Sequence, residues 1–336
     1  MKRLTWKRPA IFKAILPATW MFMFMLLLTI PSLAAGISSA KNGVAQNGWL
    51  RVEGTQLVNE KGNDVILHGM SSHGLQWYAN FTTKNAIGAT AAYGANLFRV
   101  AMYTAEGGYL SNKGGMYKKL CDAVDAAIEL NMYVIIDWHI LSDGNPKSHQ
   151  KAAKAFFKKV SARYANKPNV IYEICNEPNG GTDWKKIRSY ANAVIPVIRK
   201  NSPKSIVLVG TPTWSQDVDV AAQNPLKFAN IMYVCHFYAG THTDWLRSRI
   251  ETALSKGCAI FISEWGTSSA DGSGGFYKKE SQRWINFMKK HKLSWANWSL
   301  CDKQESSAAL KPGANVEDGI AKKELSKSGK FVFGKF

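Results

Sequence analysis

Two short segments of the chain each lead an apolar, β-branched run into a glutamate. They are VIYEICNEP at 170–178, which contains Glu177, and AIFISEWG at 259–266, which contains Glu264. In an α/β barrel, the carboxyl ends of parallel strands line the active site. Two facing carboxyl groups can split a glycosidic bond, because one protonates the departing oxygen while the other attacks or stabilises the oxocarbenium-like carbon. We therefore predict a catalytic pair rather than two unrelated surface glutamates.

Polar and aromatic side chains also end or follow nearly all the other predicted strands. Core packing does not require such a ring, whereas a sugar cleft uses aromatic faces against glucose rings and polar groups against hydroxyls. Tryptophan as core filler is the expectation for Trp49, Trp138 and Trp295 only. The ring predicted to bind substrate contains His73, Trp77, Arg99, Tyr103, His139, Asn176, Trp214, His236, Tyr238 and Trp298.

Strand and helix patterns alternate along the chain, which is typical of βα units around a parallel sheet. We predict strands at 66–71, 96–103, 133–139, 170–176, 206–210, 231–238, 259–264 and 294–300, and helices at 116–130, 148–164, 183–200, 241–256 and 275–291. Pro196 predicts a kink in the third of these helices. The predicted fold is α/β, a TIM (β/α)8 barrel. An N-terminal β-hairpin, with strands in 49–58 and 65–67 around a turn at 59–63, should close its floor.

One local problem remains open at the end of the fourth predicted strand. Asn176 and Glu177 are neighbours, and strict alternation along a strand would direct them to opposite faces. Both reach the cleft only if the strand bends or ends there. Glu173 lies on the same alternation side as Glu177 but deeper, so we interpret it as structural.

The N-terminus has the pattern of a secretory signal peptide over 1–34. Five basic residues precede an apolar run at 18–30, and small residues follow at 32–34. The run is shorter than the roughly 20 residues that span a bilayer, so a membrane anchor is the weaker interpretation. Residues 35–47 are predicted as a flexible leader and 48–336 as the catalytic domain. The protein is expected to be secreted, with membrane contact only in transit through the signal peptide.

The chain is strongly basic, with a formal charge of +19 over 336 residues. Removal of 1–34 lowers that charge by five, to +14. Scattered lysines on helices favour solvated faces over a nucleic-acid site, so no nucleic-acid partner is expected. Our hypothesis is weak adhesion to anionic cell-wall polymers such as pectin, which salt would screen.

Five cysteines without a C-x-x-C spacing do not form a disulfide framework. Cys175 and Cys235 lie inside apolar strand patterns, where a buried free thiol is the usual state. A nucleophilic role for Cys175 is disfavoured, because Glu177, two residues on, gives the thiol no base.

The chain resembles the cellulase branch of glycoside hydrolase family 5, which contains secreted endo-β-1,4-glucanases. The resemblance runs from about residue 48 to the C-terminus, through MSSHGLQW at 70–77, DWHILSD at 137–143, IYEICNEPNG at 171–180, TWSQD at 213–217, HFYAGTH at 236–242, SEWGT at 263–267 and SWANWSL at 294–300. Cys175 departs from an alanine common in the family, and Cys301-Asp302 replaces more usual polar residues.

The resemblance implies specific roles for individual residues. Glu177 corresponds to the general acid/base, Glu264 to the nucleophile, and Asn176 to the residue that holds the 2-hydroxyl of the cleaved sugar. Arg99 and Tyr238 would lie beside Glu264 and favour its ionised form. His139 and His236 would line the cleavage subsite. The remaining subsite contacts are His73, Tyr103, Trp77, Trp214 and Trp298, with Lys303 and Glu305 at distal positions.

The predicted activity is therefore retaining endo-β-1,4-glucanase action on a β-glucan polysaccharide, by a monomer without metal or cofactor. A related substrate (mannan, xyloglucan or mixed-linkage glucan) is the nearest alternative. A metal-dependent hydrolase using His139, Glu177, His236 and Glu264 is a second alternative. The third is a secreted glycan-binding protein without catalytic activity.

Overall fold

The computed structural model describes residue 1 and residues 36–336 of the chain. An antiparallel hairpin, β1 (Arg51–Glu53) and β2 (Gln56–Val58), precedes a closed barrel of eight parallel strands. These are β3 (His68–Ser72), β4 (Leu97–Tyr103), β5 (Tyr133–His139), β6 (Val170–Glu173), β7 (Val207–Val209), β8 (Ile231–Tyr238), β9 (Ile260–Gly266) and β10 (Trp295–Leu300). They pair in chain order, and β10 closes on β3. The prediction of a TIM barrel with an N-terminal hairpin is confirmed.

The hairpin at the barrel floor is shorter than predicted, and the chain reverses earlier than predicted. Residues 49–58 do not form one strand, because the chain reverses at Gly54, whose positive φ of 58° suits a residue without a Cβ. The predicted turn at 59–63 exists, and Asn59 Oδ1 accepts the N–H groups of Lys61 and Asn63. It leads to a single antiparallel bridge between Val58 and Asp64. Leu50 and Leu57 of the hairpin region pack against the apolar lower ends of the barrel strands.

Amphipathic helices surround the barrel and bury one face each against it. The longer helices are Lys84–Ala92, Lys113–Glu129, Gln150–Arg163, Trp184–Asn201, Asp244–Ser255 and Lys278–Lys290, and the shorter helix Lys327–Phe333 follows β10. The second of them shows the pattern, since Leu120, Val124 and Ala127 are fully buried at helical spacing. The helix Trp184–Asn201 continues through Pro196. The helices Lys84–Ala92 and Lys327–Phe333 were not predicted from the sequence.

The segment predicted as a flexible leader contacts the barrel domain within its described part. Ala40 is buried and donates its N–H to Leu130 O at 2.9 Å. The short helix Val44–Asn47 is tied to the same loop, because Asn131 Oδ1 accepts the N–H of Ala45 at 2.7 Å. These side-chain and backbone bonds hold the segment against the floor, although its polar composition suggested a loose chain.

The five cysteines all lie in the described part of the chain, where each is a buried free thiol. Burial raises the pKa of Cys175, which keeps that thiol in its neutral form. No described helix combines the length and the apolar character needed to cross a membrane. The predicted signal peptide over 1–34, apart from its first residue, lies outside the described residues.

Candidate active site

The fourth barrel strand ends earlier than predicted, and this early end positions the first glutamate. β6 stops at Glu173 rather than at residue 176, so Asn176 and Glu177 lie beyond it in a loop. Asn176 N–H donates to Trp138 O at 3.2 Å, while Ser215 Oγ donates to Asn176 O at 2.6 Å. Strand alternation no longer applies there, and both neighbours face the barrel mouth.

The two predicted catalytic carboxyl groups lie close together at that mouth. One carboxylate oxygen of Glu177 and one of Glu264 are within 4.8 Å of each other. Both side chains are largely buried, with 12% of Glu177 and 6% of Glu264 exposed. Glu264 belongs to β9, three strands around the barrel from β6.

Arg99, from β4, is fully buried under the site and joins three carboxylates. Its Nη1 lies 3.0 Å from Glu264 Oε2, its Nε donates to Glu173 Oε2 at 2.8 Å, and its Nη2 lies 2.9 Å from Asp137 Oδ2. Nη2 also donates to Asn176 Oδ1 at 2.7 Å. A single planar cation thus fixes the nucleophile candidate and the amide beside the acid candidate.

His236 links the two sides of the site. Its Nδ1 lies 2.9 Å from Glu177 Oε1, and its Nε2 lies 3.0 Å from Ser263 Oγ, which donates to Glu173 Oε1 at 2.8 Å. Burial lowers the pKa of His236, but the charge of Glu264 and the hydrogen bonds to Glu173 and Glu177 outweigh it and raise the pKa to about 9. His236 is therefore protonated at neutral pH, and both of its nitrogens donate.

The two glutamates have pKa values shifted in opposite directions. Burial raises the pKa of Glu177, with a further increase from the negative charge of Glu264, and the bond from His236 only partly offsets both. Burial also acts to raise the pKa of Glu264, but the charges of His236 and Arg99 outweigh it, so that pKa is lowered. Tyr238 adds a donor, since its hydroxyl lies 2.7 Å from Glu264 Oε1. One carboxyl group thus favours its protonated form and the other its ionised form, as acid/base and nucleophile must.

His139 is held as a neutral imidazole with a defined tautomer. Burial lowers its pKa to about 3, and its Nδ1 donates to Asp137 Oδ2 at 2.6 Å. Its Nε2 is then the acceptor for Asn176 Nδ2 at 3.2 Å, and that amide also donates to Ile140 O at 3.0 Å. The Asn176 side chain is therefore locked by Arg99 on one side and by His139 on the other.

Two adjoining cavities share Glu177 and Tyr238. The main cavity, of about 380 Å³, contains Glu264, and the other predicted residues that line it are His73, Trp77, Tyr103, His139, Trp298, Lys303 and Glu305. The second cavity, of about 460 Å³, has a largely apolar lining and lacks Glu264; it adds Trp214 and His236. Arg99 and Asn176 lie beneath both cavities, so the structure brings every predicted site residue to this one mouth.

The main cavity has an aromatic wall and a charged far end. His73 packs against Trp298 with ring centroids 4.9 Å apart, and Trp77 meets Tyr103 edge to face at 5.1 Å. At the far end Lys303 Nζ lies 2.6 Å from Glu305 Oε2. Aromatic side chains and polar groups thus line one cavity, a combination that is suited to a sugar chain.

Several residues of the site were not predicted from the sequence. Glu173, interpreted as structural, anchors both Arg99 and Ser263, and Ser263 itself was passed over although it directly precedes Glu264. Asp137 could have been found by alternation, because it lies two residues before His139 and so faces the same side of β5. Trp245 in the second cavity lies in the helix after β8 rather than at a strand end, and no sequence pattern marked it.

The same residues bear on the metal-site alternative. Glu177, His236 and Glu264 can each offer one ligand atom within a 4.8 Å cluster. A histidine binds a metal ion through a ring nitrogen that carries no proton. In His236 both ring nitrogens donate hydrogen bonds, one to Glu177 and the other to Ser263. The donor set therefore fits a hydrogen-bonded chain better than a cation site.

Similar proteins share this architecture along most of the chain. An endoglucanase of Clostridium saccharobutylicum is 55% identical over 287 residues, which cover 85% of this chain and 64% of the relative. Endoglucanase A of Evansella cellulosilytica is 54% identical, covering 91% of this chain and 64% of the relative. The chain thus spans just under two thirds of the length of these curated relatives.

Solved structures are also similar to this chain along most of its length. The catalytic domain of a Thermobifida fusca endoglucanase superposes with a TM-score of 0.83 at 38% identity, covering 87% of this chain and 98% of that one. Residues 58–304 match the family described as cellulase (glycosyl hydrolase family 5). That match covers well over half of the chain, and the chain therefore belongs to glycosyl hydrolase family 5, the cellulase family.

Proposed function

We propose that the protein is a secreted, retaining endo-β-1,4-glucanase that cleaves internal bonds of cellulose and related β-glucans by double displacement. The observation that carries the proposal is the close approach of Glu177 and Glu264, with one oxygen of each within 4.8 Å. Retaining glycosidases hold their carboxyl groups about 5 to 5.5 Å apart, whereas inverting enzymes leave roughly 6.5 to 9.5 Å for a water molecule. The relatives support the substrate class, since they are named endoglucanases.

In the first step, Glu264 attacks the anomeric carbon while Glu177 protonates the leaving oxygen. Glu177 Oε1 accepts the bond from His236, which leaves Oε2 to carry the transferred proton. Arg99 and Tyr238 hold the attacking carboxylate in place, each through one of its two oxygens. The glycosyl group becomes covalently bound to Glu264 and the shortened chain departs.

In the second step, the ionised Glu177 removes a proton from water, which displaces Glu264 from the sugar and retains the anomeric configuration. Loss of the covalent bond returns Glu264 to its ionised state beside Arg99. Asn176 is proposed to bind the 2-hydroxyl of the reacting sugar, a contact that strengthens as positive charge develops on the ring.

The nucleophile assignment is tested with Glu264→Ala. We expect this variant to lose hydrolysis, and external azide to restore part of it by occupying the vacated space and forming a product of inverted configuration. Glu177→Ala should instead retain cleavage of substrates with activated leaving groups, because they need no proton from the enzyme. Full activity of Glu264→Ala on carboxymethyl-cellulose would exclude the proposed nucleophile.

The substrate assignment is tested by product analysis on a polysaccharide panel. We expect cellulose derivatives and other β-1,4-glucans to be cleaved with a fast fall in viscosity, since cuts are internal. Xyloglucan, mannan and mixed-linkage glucan are the nearest alternatives because the aromatic wall would accept related rings. A higher kcat/KM on mannan than on carboxymethyl-cellulose would identify mannan as the preferred substrate and contradict the substrate assignment.

The two remaining functional alternatives have direct tests. A metal-dependent hydrolase would lose activity after prolonged treatment with a chelator, whereas the proposed enzyme would retain it. A non-catalytic glycan-binding protein would retain sugar binding without releasing reducing ends. Secretion through residues 1–34 is tested by N-terminal sequencing of exported protein, where we expect a start near residue 35, and a monomer is expected in solution.

A further inference from the structure

An exposed tryptophan that the family roles did not include lies in the second cavity. Trp245, the second residue of the helix Asp244–Ser255, is 43% exposed, and Trp214 in the same cavity is 46% exposed. The solvent-facing side of a surface helix normally carries polar residues, so an indole exposed there calls for an explanation. We call Trp214 and Trp245 the leaving-side tryptophan pair, because their cavity is lined by the proposed acid, Glu177, and not by Glu264.

The second cavity lies on the side of the departing sugar if Glu177 is the acid. Glu177 and His236 line this cavity, whereas Glu264 lines only the main cavity. A general acid must contact the leaving oxygen, so the leaving part of the chain extends from Glu177 away from Glu264. Trp214 is held next to the acid, because its backbone N–H donates to Pro178 O at 3.0 Å, and Pro178 directly follows Glu177.

The two tryptophans are held by connected parts of the structure, since a series of contacts joins Thr213, the residue before Trp214, to the indole of Trp245. Thr213 Oγ1 donates to Asp217 Oδ2 at 2.7 Å, Asp217 forms an ion pair with Arg249, and the Arg249 guanidinium lies 5.3 Å from the Trp245 ring centroid. On its other side, Trp245 meets His242 edge to face at 5.7 Å.

The backbone beside Trp214 is also in an unusual conformation. Thr213, Trp214 and Ser215 have three consecutive positive φ angles of 56°, 53° and 57°. Side chains with a Cβ rarely adopt this region, and a run of them persists only where the surroundings impose it. Here it turns Trp214 outward into the cavity and directs Thr213 to Asp217.

We propose that Trp245 is a second leaving-side sugar-binding residue, which stacks on the glucose unit one beyond the unit that Trp214 contacts. The ligand is the reducing-end side of a β-1,4-glucan chain, so the inference rests on the proposed function. The amphipathic faces of glucose match exposed indoles, and the largely apolar lining of this cavity suits them. Trp245 thereby favours substrates that place two sugars, rather than one, beyond the cleaved bond.

The kinetic test compares two substrates that differ only on the leaving side. Cellopentaose can fill both leaving-side positions, whereas an aryl β-cellobioside has only its aryl group there. We expect Trp245→Ala to lower kcat/KM for cellopentaose about tenfold, the loss for one aromatic contact. The aryl cellobioside should be unaffected. With a reducing-end label, cleavage at the second bond from that end should decline relative to the first.

Matched variants separate this role from a structural one. Trp214→Ala should reduce kcat/KM for both substrates, and Asp217→Asn should act like Trp245→Ala to a smaller extent, because Arg249 loses its ion-pair partner. Trp49→Ala, a tryptophan at the barrel floor, should change neither. Equal losses on both substrates, or no loss on cellopentaose, would overturn the proposal for Trp245.

A binding measurement separates failure of this inference from failure of the proposed function. Cellotetraose is titrated calorimetrically into Glu264→Gln protein with and without Trp245→Ala. Weaker binding in the double variant supports the stacking contact, whether or not the unaltered protein is active. If the unaltered protein released no reducing ends, only the proposed function would be excluded. Identical binding isotherms would reject the contact.

Discussion

At the scale of single residues, His236 acts on the pKa values of both glutamates. It donates to Glu177 Oε1, and its positive charge is the leading influence that lowers the pKa of Glu264. The same hydrogen bond lowers the pKa of Glu177 against the opposing effect of burial. The two carboxyl groups therefore titrate as a coupled pair with His236 between them.

The position of His236 between the two glutamates predicts that the pH profile of kcat/KM in His236→Asn differs from that of the unaltered protein. Under the proposed mechanism, we expect activity to be lost at low pH as Glu264 becomes protonated, and at high pH as Glu177 becomes ionised. Removal of the imidazolium raises both pKa values, so both limbs of the kcat/KM profile should move to higher pH, by about one unit for one charge-assisted hydrogen bond. His68→Asn, at the barrel floor, is the control and should leave the limbs in place. A lower kcat/KM at every pH, with both limbs at unchanged pH, would contradict the prediction.

Arg99 is the second residue whose charge decides the site. It is fully buried and is the cation in contact with Asp137, Glu173 and Glu264. Its removal takes away the cation that contacts all three buried carboxylates, and breaking a buried ion pair in this way typically costs about 3–5 kcal/mol.

We expect Arg99→Met to lower the free energy of unfolding by about 3–5 kcal/mol at neutral pH. The matched control is Arg163→Met, because Arg163 forms an exposed pair with Asp125 at 2.6 Å, and such pairs contribute about 0–1 kcal/mol. Urea denaturation of both variants measures the difference. Similar denaturation midpoints for the two would show that the buried network does not stabilise the fold.

The sequence predicted most members of the site but only part of its internal bonding. The strand-end rule brought Glu177, Glu264 and their aromatic surroundings to one mouth. It could not show that Ser263 joins His236 to Glu173, because that bond depends on the rotation of a short side chain in three dimensions. Trp245 was missed for a related reason, since a helix position shows nothing about which cavity it faces.

At the scale of elements, the early end of β6 is what allows neighbouring residues to serve one cleft. The loop after Glu173 approaches the end of β7 closely, and a Cβ on Gly210 would lie 2.1 Å from Cys175 O and 2.9 Å from Asn176 O. Both contacts are to backbone, which cannot move without displacing Glu177. Gly210 is therefore required by close approach rather than by its φ angle.

We expect Gly210→Ala to lower kcat strongly while the barrel still folds, with a stability loss of about 1–3 kcal/mol, as for other overpacked positions. Gly114→Ala is the control, because its Cβ would meet no atom within 4 Å and it lies in the helix Lys113–Glu129, where alanine stabilises by about 0.5–1 kcal/mol. Reaction rates and thermal unfolding of the two variants measure the contrast. Unchanged kcat in Gly210→Ala would show that the loop tolerates displacement.

The barrel strands could be predicted from the sequence because buried parallel strands carry continuous apolar runs. Tyr133–His139 and Ile231–Tyr238 match their predicted bounds. The end of β6 could not be predicted, since Ile174 and Cys175 continue the apolar pattern although the ladder has stopped. The floor hairpin was misplaced for the opposite reason, because a reversal at Gly54 needs only two residues and is hidden inside an alternating stretch.

At the scale of the whole molecule, the positive charge lies on the outer helices rather than in the cleft. The helix Gln150–Arg163 has no acidic residue, and its lysines Lys151, Lys154, Lys158 and Lys159 are all exposed. The main cavity, in contrast, is lined by five acidic residues and one lysine, Lys303. The surface charge and the catalytic charge are therefore separate, and a polyanion would contact the helices without entering the site.

This separation gives the hypothesis of adhesion to anionic wall polymers a specific outcome. We expect retention on immobilised polygalacturonate at low salt and its loss near 1 M salt, where the screening length falls to about 3 Å. Replacing Lys151, Lys154 and Lys158 by glutamate lowers the formal charge by six and should reduce retention at low salt. Hydrolysis of soluble neutral glucan should stay unchanged in that variant, since no substituted side chain lines either cavity. Equal retention at both salt concentrations would show that the net charge plays no part in adhesion, and equal retention of the two proteins would exclude this helix as its source.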